Sequence, residues 1–324
     1  MISVIDDRLG SDGQRFRTGR CCDPNVPMGK YEICRNHNPA RLAMKDFIQT
    51  TFKTSDGVKL SYLRAGNGLP VILLHGFLES GVCFKSQAEI LAKQYEVIVL
   101  DQRSHGESEK VPFGMKVARL SKDLFELITA LNLRRVSLLG HSMGAAVIWS
   151  YIGLFGDRDL SKLILIDQSP VLTSNPNWTE EELSESGAIF DAQQLYNTLA
   201  VLREGSGEEC VRQAFDLFLS KKATSEVKDM LLKNALKVPF DYARGLMYDH
   251  FLNDWRETIS GIRLPTLVVS GRASPISWKS QEWIHRKIMG SELVIFEEEE
   301  GGKHLMFLEN PQRFNRVLME FLAR

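Results

Sequence analysis

From Phe52 onward, short apolar runs recur along the chain at 58–63, 70–74, 95–100, 135–139, 162–166, 265–270 and 292–296. They are rich in Val, Ile and Leu and too short for independent helices, so they are expected to be strands. Between and after them, over 86–93, 115–131 and 311–322, apolar residues return every three to four positions, the spacing of one helix face. Strands alternating with helices imply a parallel sheet covered by helices. Between 171 and about 262 the alternation stops, and helical spacing runs through 180–185, 188–203, 208–219, 225–236 and 242–255. An all-helical insertion between two strands forms a cap over their C-terminal ends, where open α/β sheets bind ligands. The expected division is an irregular extension over 1–45, a core over 46–170 and 263–324, and a helical cap over 171–262. The extension is polar and turn-rich, with Gly10, Gly13, Gly19, Pro24, Pro27 and Pro39 and little periodicity.

The run Val136-Ser137-Leu138-Leu139 leads into Gly140-His141-Ser142-Met143-Gly144, and Ala145-Ala146-Val147-Ile148-Trp149 follows. This G-x-S-x-G sits between a strand and a helix, which makes it a nucleophile elbow. The serine is forced into a strained turn, and glycines on either side let strand and helix pass closely enough to expose the hydroxyl. The helix starts at the nucleophile, so the Met143 N–H is a candidate oxyanion donor.

Composition narrows the class. The 324 residues are 44% hydrophobic and 25% charged, enough to bury a large core. The formal net charge of −1 gives no electrostatic reason to expect nucleic acid or an anionic membrane as partner. The N-terminus lacks a basic region followed by a long apolar stretch, and no apolar run approaches a membrane span, so a cytoplasmic protein is expected. The cysteines at 21, 22, 34, 83 and 210 are odd in number, which argues for free thiols. Cys21, Cys22, Cys34 and His37 lie close in sequence, but their spacing matches no regular zinc pattern. Asn177-Trp178-Thr179 reads as a helix approach and would be a glycosylation sequon only in a secreted chain.

Over residues 50–324 the sequence resembles the α/β-hydrolase superfamily, closest to its esterases, thioesterases and haloperoxidase-like enzymes. The resemblance implies an α/β-hydrolase fold: a mostly parallel central sheet, flanking helices and a helical cap inserted after the sixth strand of the family's count. His75-Gly76-Phe77 resembles the family's H-G-x turn, which implies that the Phe77 N–H is the second oxyanion donor. Asp101 to Ser108 resembles the D-x-R-G-x-G-x-S loop, with Ser104 in place of a glycine, which suggests a local backbone adjustment.

A serine is a weak nucleophile until a base takes its proton. Of seven histidines, His304 lies after the last strand and before the final helix, where the superfamily places its base. His75 and His105 belong to turn motifs and are expected to be structural, and the His141 side chain is expected to turn away from Ser142. His37, His250 and His285 read as surface or cap residues.

The acid departs from the family pattern. The resemblance implies an Asp after the seventh strand, but the chain reads Gly271-Arg272-Ala273-Ser274-Pro275. A hydroxyl cannot stabilise an imidazolium by charge, so the acid has moved or the enzyme is crippled. Asp167 ends the sixth strand beside the strand of the elbow, a position that some superfamily members use for their acid. Asp also caps turns and helices, and Glu297 to Glu300 and Glu282 are weaker alternatives. With Asp167 as the acid, Ser274→Ala is expected to be nearly silent.

The expected reaction is acyl transfer on Ser142 with His304 as general base, requiring no cofactor and no metal. Trp178, Phe190, Tyr196, Phe240 and Tyr242, with Leu199, Phe215, Phe218, Met247 and Trp255, supply the cap with apolar surface for a substrate pocket, although most such residues simply pack helices. The expected partner is a small hydrophobic ester-type molecule: a carboxylic ester, thioester or lactone. Carbon–carbon bond hydrolysis, cofactor-free perhydrolysis and a low-turnover ligand-binding pseudo-hydrolase stay open.

Overall fold

A computed structural model of the chain describes residues 34–35, 47–201 and 207–324. The elements run β1 (Cys34–Arg35), β2 (Ile48–Lys53), β3 (Lys59–Ala65), β4 (Pro70–Leu74), α1 (Lys85–Leu91), β5 (Glu96–Leu100) and α2 (Val117–Ala130). Next come β6 (Val136–His141), α3 (Met143–Phe155) and β7 (Leu160–Ile166). The helices α4 (Glu180–Ser186), α5 (Ala192–Val201), α6 (Gly207–Phe218), α7 (Ser225–Ala235), α8 (Phe240–Leu252) and α9 (Arg256–Gly261) follow. The chain closes with β8 (Thr266–Gly271), α10 (Trp278–Lys287), β9 (Glu292–Phe296), α11 (Met306–Glu309) and α12 (Pro311–Ala323).

One sheet holds the strands in the order β1-β2-β3-β5-β4-β6-β7-β8-β9. From β1 to β5 neighbouring strands run antiparallel, and from β5 across to β9 they run parallel. Parallel strands need both faces covered, and the alternation along each strand supplies two apolar faces. Ile72 and Leu74 of β4 pack with Leu138, Leu163 and the helices α2 and α3, whereas Val71 and Leu73 pack with Leu139, Ile164, α1 and α12. Each fully buried branched side chain contributes about 1.5–3 kcal/mol relative to exposure.

Several boundaries differ from the sequence reading. Cys34 and Arg35, inside the stretch expected to be irregular, pair antiparallel with Thr51 and Thr50 of β2. The remaining residues of 1–45, with Cys21, Cys22 and His37, lie outside the described residues. The helix expected from 188 starts at Ala192, because Asp191 caps it: its Oδ1 accepts the Gln194 N–H at 2.7 Å, and the Gln194 side chain accepts the Asp191 N–H at 2.8 Å. The sequon stretch is a helix approach, with Thr179 and Glu182 forming a reciprocal capping box at the start of α4. Ser104 needs no backbone adjustment: at φ 63° it takes the left-handed conformation that favours glycine, and its hydroxyl bonds both the N–H and the carbonyl of Val111. Among the described residues, no helix is long and apolar enough to cross a membrane.

Two histidines seal the core as neutral groups. Of the two places the sequence reading left open for His250, surface or helical insertion, it lies in the insertion, buried in α8, and burial pushes its imidazole down to about 3. Burial and the neighbouring His75 do the same to His105, also to about 3. The unfolded chain takes up these protons from about pH 6.5 downward. Their stabilising contribution is therefore fully present above that pH and is lost as the pH falls toward 3. At pH 5 each should cost about 2 kcal/mol relative to pH 7. The urea midpoint should drop accordingly, and His250→Leu should shrink the drop; equal midpoints at pH 5 and 7 would contradict this assignment.

Candidate active site

The strand order gathers the ends of β4, β6, β7, β8 and β9 along one C-terminal edge. In open α/β sheets this edge is where ligands bind. The His75-Gly76-Phe77 turn follows β4, and Ser142 follows β6. Asp167 follows β7, Ser274 lies just beyond β8, and His304 lies in the loop between β9 and α11.

Ser142 stands at φ 50° and ψ −122°, the strained turn expected of the elbow, and is the N-terminal cap residue of α3. Its own N–H donates to the Ile166 carbonyl at 2.8 Å, which pins the elbow to the end of β7. The two flanking glycines are required sterically. A Cβ on Gly140 would lie 2.5 Å from the Gly144 carbonyl carbon, and one on Gly144 would lie 2.2 Å from the Leu74 carbonyl oxygen. The second contact presses the start of α3 against the end of β4, so the Met143 N–H and the turn carrying Phe77 share one neighbourhood. Met143 is the first residue of α3, where an N–H has no acceptor within the helix. Among the described residues neither it nor the Phe77 N–H has a backbone acceptor.

Asp167 is fully buried and, like Ser142, holds a left-handed backbone at φ 51°. Its N–H donates to the Val269 carbonyl at 2.9 Å, anchoring it between β7 and β8. The carboxylate accepts from His304 Nδ1 at 2.8 Å, Ser274 Oγ at 2.5 Å, Ser270 Oγ at 3.1 Å and the Gly271 N–H at 3.3 Å. Because Nδ1 donates to this carboxylate, Nε2 is the basic atom of His304. Burial and the charge of His141 hold His304 below its ordinary value near 6.5, while the hydrogen bond and charge of Asp167 work upward. A lowered imidazole is free of its second proton at neutral pH, the form a general base needs.

Four donors on one carboxylate change the reading of Ser274. It does not merely mark where an aspartate is missing; its hydroxyl reaches across to the Asp167 carboxylate at the end of the neighbouring strand. The hydrogen bond changes the expected outcome of Ser274→Ala from silent to impaired. Losing a hydrogen bond to a charged buried group costs about 1.5–3 kcal/mol, so the variant should lower kcat by about tenfold or more. A kcat unchanged from wild type in steady-state ester hydrolysis would restore the silent reading. The alternatives separate from the site: Glu297 pairs with Arg272 at 3.1 Å, and Glu300 pairs with Arg313.

The other histidines behave as parts of the scaffold. His75 Nε2 accepts the Gln102 N–H at 3.0 Å, and His105 Nε2 accepts the Leu78 N–H at 3.3 Å. Both rings donate from Nδ1 to backbone carbonyls, and they lie 5.0 Å apart centre to centre. His141 is turned into the core, fully buried.

The five proposed pocket residues are scattered. Trp178 lies under the Arg256 guanidinium at 4.6 Å, Phe190 packs on Phe251, and Tyr196 is 56% exposed beside Tyr248. Phe240 and Tyr242 are partly buried, packed against the two faces of the core. The helical residue that does meet the site is Phe218, at the end of α6. Its ring centre lies 4.7 Å from that of His304, and its carbonyl accepts the His304 N–H at 3.1 Å. In sequence it is one of several aromatics on helical spacing, with nothing to single it out. A separate cleft of about 600 Å³ lies between the sheet edge and α7, lined among others by Gln49, Asp101, Glu107, Met230 and Lys237. Lys237 and Glu107 of its walls pair at 3.0 Å, and it includes none of Ser142, Asp167 and His304.

Comparison with known proteins gives a consistent picture. The model of a family described as alpha/beta hydrolase fold matches residues 70–311. The chain is 28% identical over 282 residues to the non-heme chloroperoxidase CPO-A1 of Kitasatospora aureofaciens, covering 84% of this chain and 98% of that protein. Among solved structures, it is similar to an esterase from Exiguobacterium antarcticum, with a TM-score of 0.77 and 23% identity, covering 85% of this chain and 99% of that one. A bromoperoxidase from Bacillus anthracis gives a TM-score of 0.78 at 21% identity, over 85% and 100% of the two chains. These two likenesses concern the fold.

Proposed function

Because this chain belongs to the alpha/beta hydrolase fold family, we propose that it is a serine hydrolase that cleaves an ester-type bond through an acyl-enzyme on Ser142. The observation that carries the reading is the 2.8 Å hydrogen bond from His304 Nδ1 to Asp167, at the sheet edge that also bears the strained Ser142. In this reading His304 Nε2 takes the Ser142 proton as Oγ attacks the carbonyl carbon. The Phe77 and Met143 N–H groups hold the oxyanion, at about 3 kcal/mol per donor in comparable sites. The imidazolium then gives its proton to the departing alcohol or thiol, and Asp167 stabilises the ring while it is charged. Water, deprotonated by the same imidazole, attacks the acyl carbon and releases the acid and free Ser142. The chain's own residues supply every step.

The helices α4 to α9 serve as the cap, and the contact of Phe218 with His304 supports that role, because an aromatic wall beside the base keeps water from its ring. The apolar character of the cap favours a neutral hydrophobic ester, thioester or lactone. A second reading is favoured by the similarity to the non-heme chloroperoxidase CPO-A1. There hydrogen peroxide replaces water in the second step and the acyl group leaves as a peracid. Reaction with a fluorophosphonate followed by mass spectrometry tests the main reading. Modification of Ser142, with turnover of p-nitrophenyl acetate, is expected; an unmodified Ser142 in a folded protein would overturn it.

A further inference from the structure

A second carboxylate and imidazole lie directly behind the first pair. Glu79, in the turn after β4, and His141, the last residue of β6, are both buried to within a few per cent. The Nδ1 of His141 meets the two Glu79 oxygens at 3.0 and 3.1 Å, and its Nε2 meets the His304 carbonyl oxygen at 3.0 Å. The His141 and His304 rings are 4.5 Å apart centre to centre. The same Glu79 carboxylate accepts the Gly76 N–H at 2.9 Å. Gly76 itself admits the carboxylate, since a Cβ there would sit 2.9 Å from Glu79 Oε1.

The donors and acceptors define the state of the pair. A carbonyl oxygen only accepts, so His141 Nε2 carries a proton and donates it to the His304 carbonyl. Burial pushes the Glu79 carboxyl up, but the charge and hydrogen bond of His141 and the Gly76 N–H outweigh it and hold the group below its ordinary value. An ionised carboxylate also only accepts, so Nδ1 donates as well, and the ring bridges two acceptors. A chain of hydrogen bonds runs from the Gly76 N–H through Glu79 and His141 to the main chain of His304. It joins the turn that carries the Phe77 oxyanion donor, the residue next to the nucleophile, and the loop that carries the base.

We propose that Glu79 is a positioning residue which, through His141, sets the His304 loop in register with the Phe77 turn. The proposal rests on the serine hydrolase reading for its kinetic consequence, but its structural content is independent of it. The charged and titratable groups facing His304 are Asp167 from the end of β7, His141 from β6 and Glu79 from the turn after β4; Phe218 of α6 faces it as an apolar wall. Of these, His141 lowers the His304 imidazole more than Glu79 raises it. Glu79 is one of the groups that raise the His304 imidazole, so removing its carboxylate takes away an upward influence. The His304 value then falls.

The test compares Glu79→Ala and Glu79→Gln with wild type. Gln can still accept the Gly76 N–H and bond His141 Nδ1, so it serves as the conservative control. With p-nitrophenyl acetate, Glu79→Ala should lower kcat by about 10- to 100-fold with KM within about threefold. Its acid limb of kcat/KM should move to lower pH, and Glu79→Gln should recover most of the kcat loss. In parallel, the His304 titration followed by NMR should shift downward in Glu79→Ala; this readout needs no turnover. If Glu79→Ala loses thermal stability but keeps both the kcat and the His304 titration of wild type, Glu79 is only a core residue and the proposal is overturned. Absence of turnover in the wild type would instead overturn the hydrolase reading, and the NMR titration would still decide the role of Glu79. Should the alanine variant not fold, the Gln variant and His141→Gln, read by the same titration, decide it: a His304 titration unmoved in both overturns the proposal.

Discussion

Ser142→Ala is expected to abolish fluorophosphonate labelling and to lower kcat on p-nitrophenyl acetate by about 10⁵- to 10⁶-fold. The size follows from losing the covalent route altogether; what remains is binding and whatever the two N–H donors offer to a water attack. The fold should survive, because Ala and Ser suffer the same steric cost at φ 50°. The main-chain bonds from Ser142 to Ile166 and from Ala145 to Ser142 do not involve the hydroxyl. Circular dichroism and thermal unfolding close to wild type would establish this. A variant that keeps more than a tenth of wild-type kcat would mean that ester cleavage arises elsewhere in the molecule.

Asp167→Asn should cost about 10⁴-fold in kcat with the fold intact. The amide keeps the volume of the carboxylate but brings an N–H₂ group among donors. His304 Nδ1, Ser274, Ser270 and Gly271 all point hydrogens at this side chain, and one amide oxygen cannot serve four of them. The ring is then free to adopt the wrong tautomer, and the imidazolium formed during attack has no counter-charge. The geometry also supports a rescue. Ser274 Oγ is a single hydrogen bond, 2.5 Å, from the Asp167 oxygen that binds His304. A carboxylate at position 274 therefore arrives beside the same Nδ1. The double variant Asp167→Asn/Ser274→Asp should regain about 100-fold of the lost activity. Steady-state kinetics of the single and double variants measure both effects. If Asp167→Asn stays within a few-fold of wild type, the acid is some other group.

The elbow was legible in the sequence because its chemistry is local. Two glycines, a serine and the change from strand to helix spacing sit within a few consecutive residues, and sterics allow few other outcomes. The positions of His304 after the last strand and of Asp167 at the end of β7 were legible by chain order, and the structure brings the two side chains together. The helical stretch between β7 and β8 was legible from spacing alone, though its boundaries shifted where Asp191 caps α5 and where α8 begins directly after Pro239. The aromatics nominated for the pocket show the limit. Helical spacing marks Tyr196 and Phe218 alike as apolar. One is half exposed against Tyr248, and the other lies against His304.

What the sequence determined by itself is the alternation of strands and helices, the strained turn at Ser142 and the order in which Ser142, Asp167 and His304 follow the strands. Tertiary structure decided which groups meet. Asp167 and Ser274 are 107 residues apart, and Asp167 and His304 are 137 apart. They come within hydrogen-bond reach because β7, β8 and β9 lie side by side at about 4.8 Å spacing and end at one edge. The same adjacency of β4 and β6 joins Glu79 to His141 and so to His304. Side-chain identity states what a residue can donate or accept; only the pairing of strands states to whom.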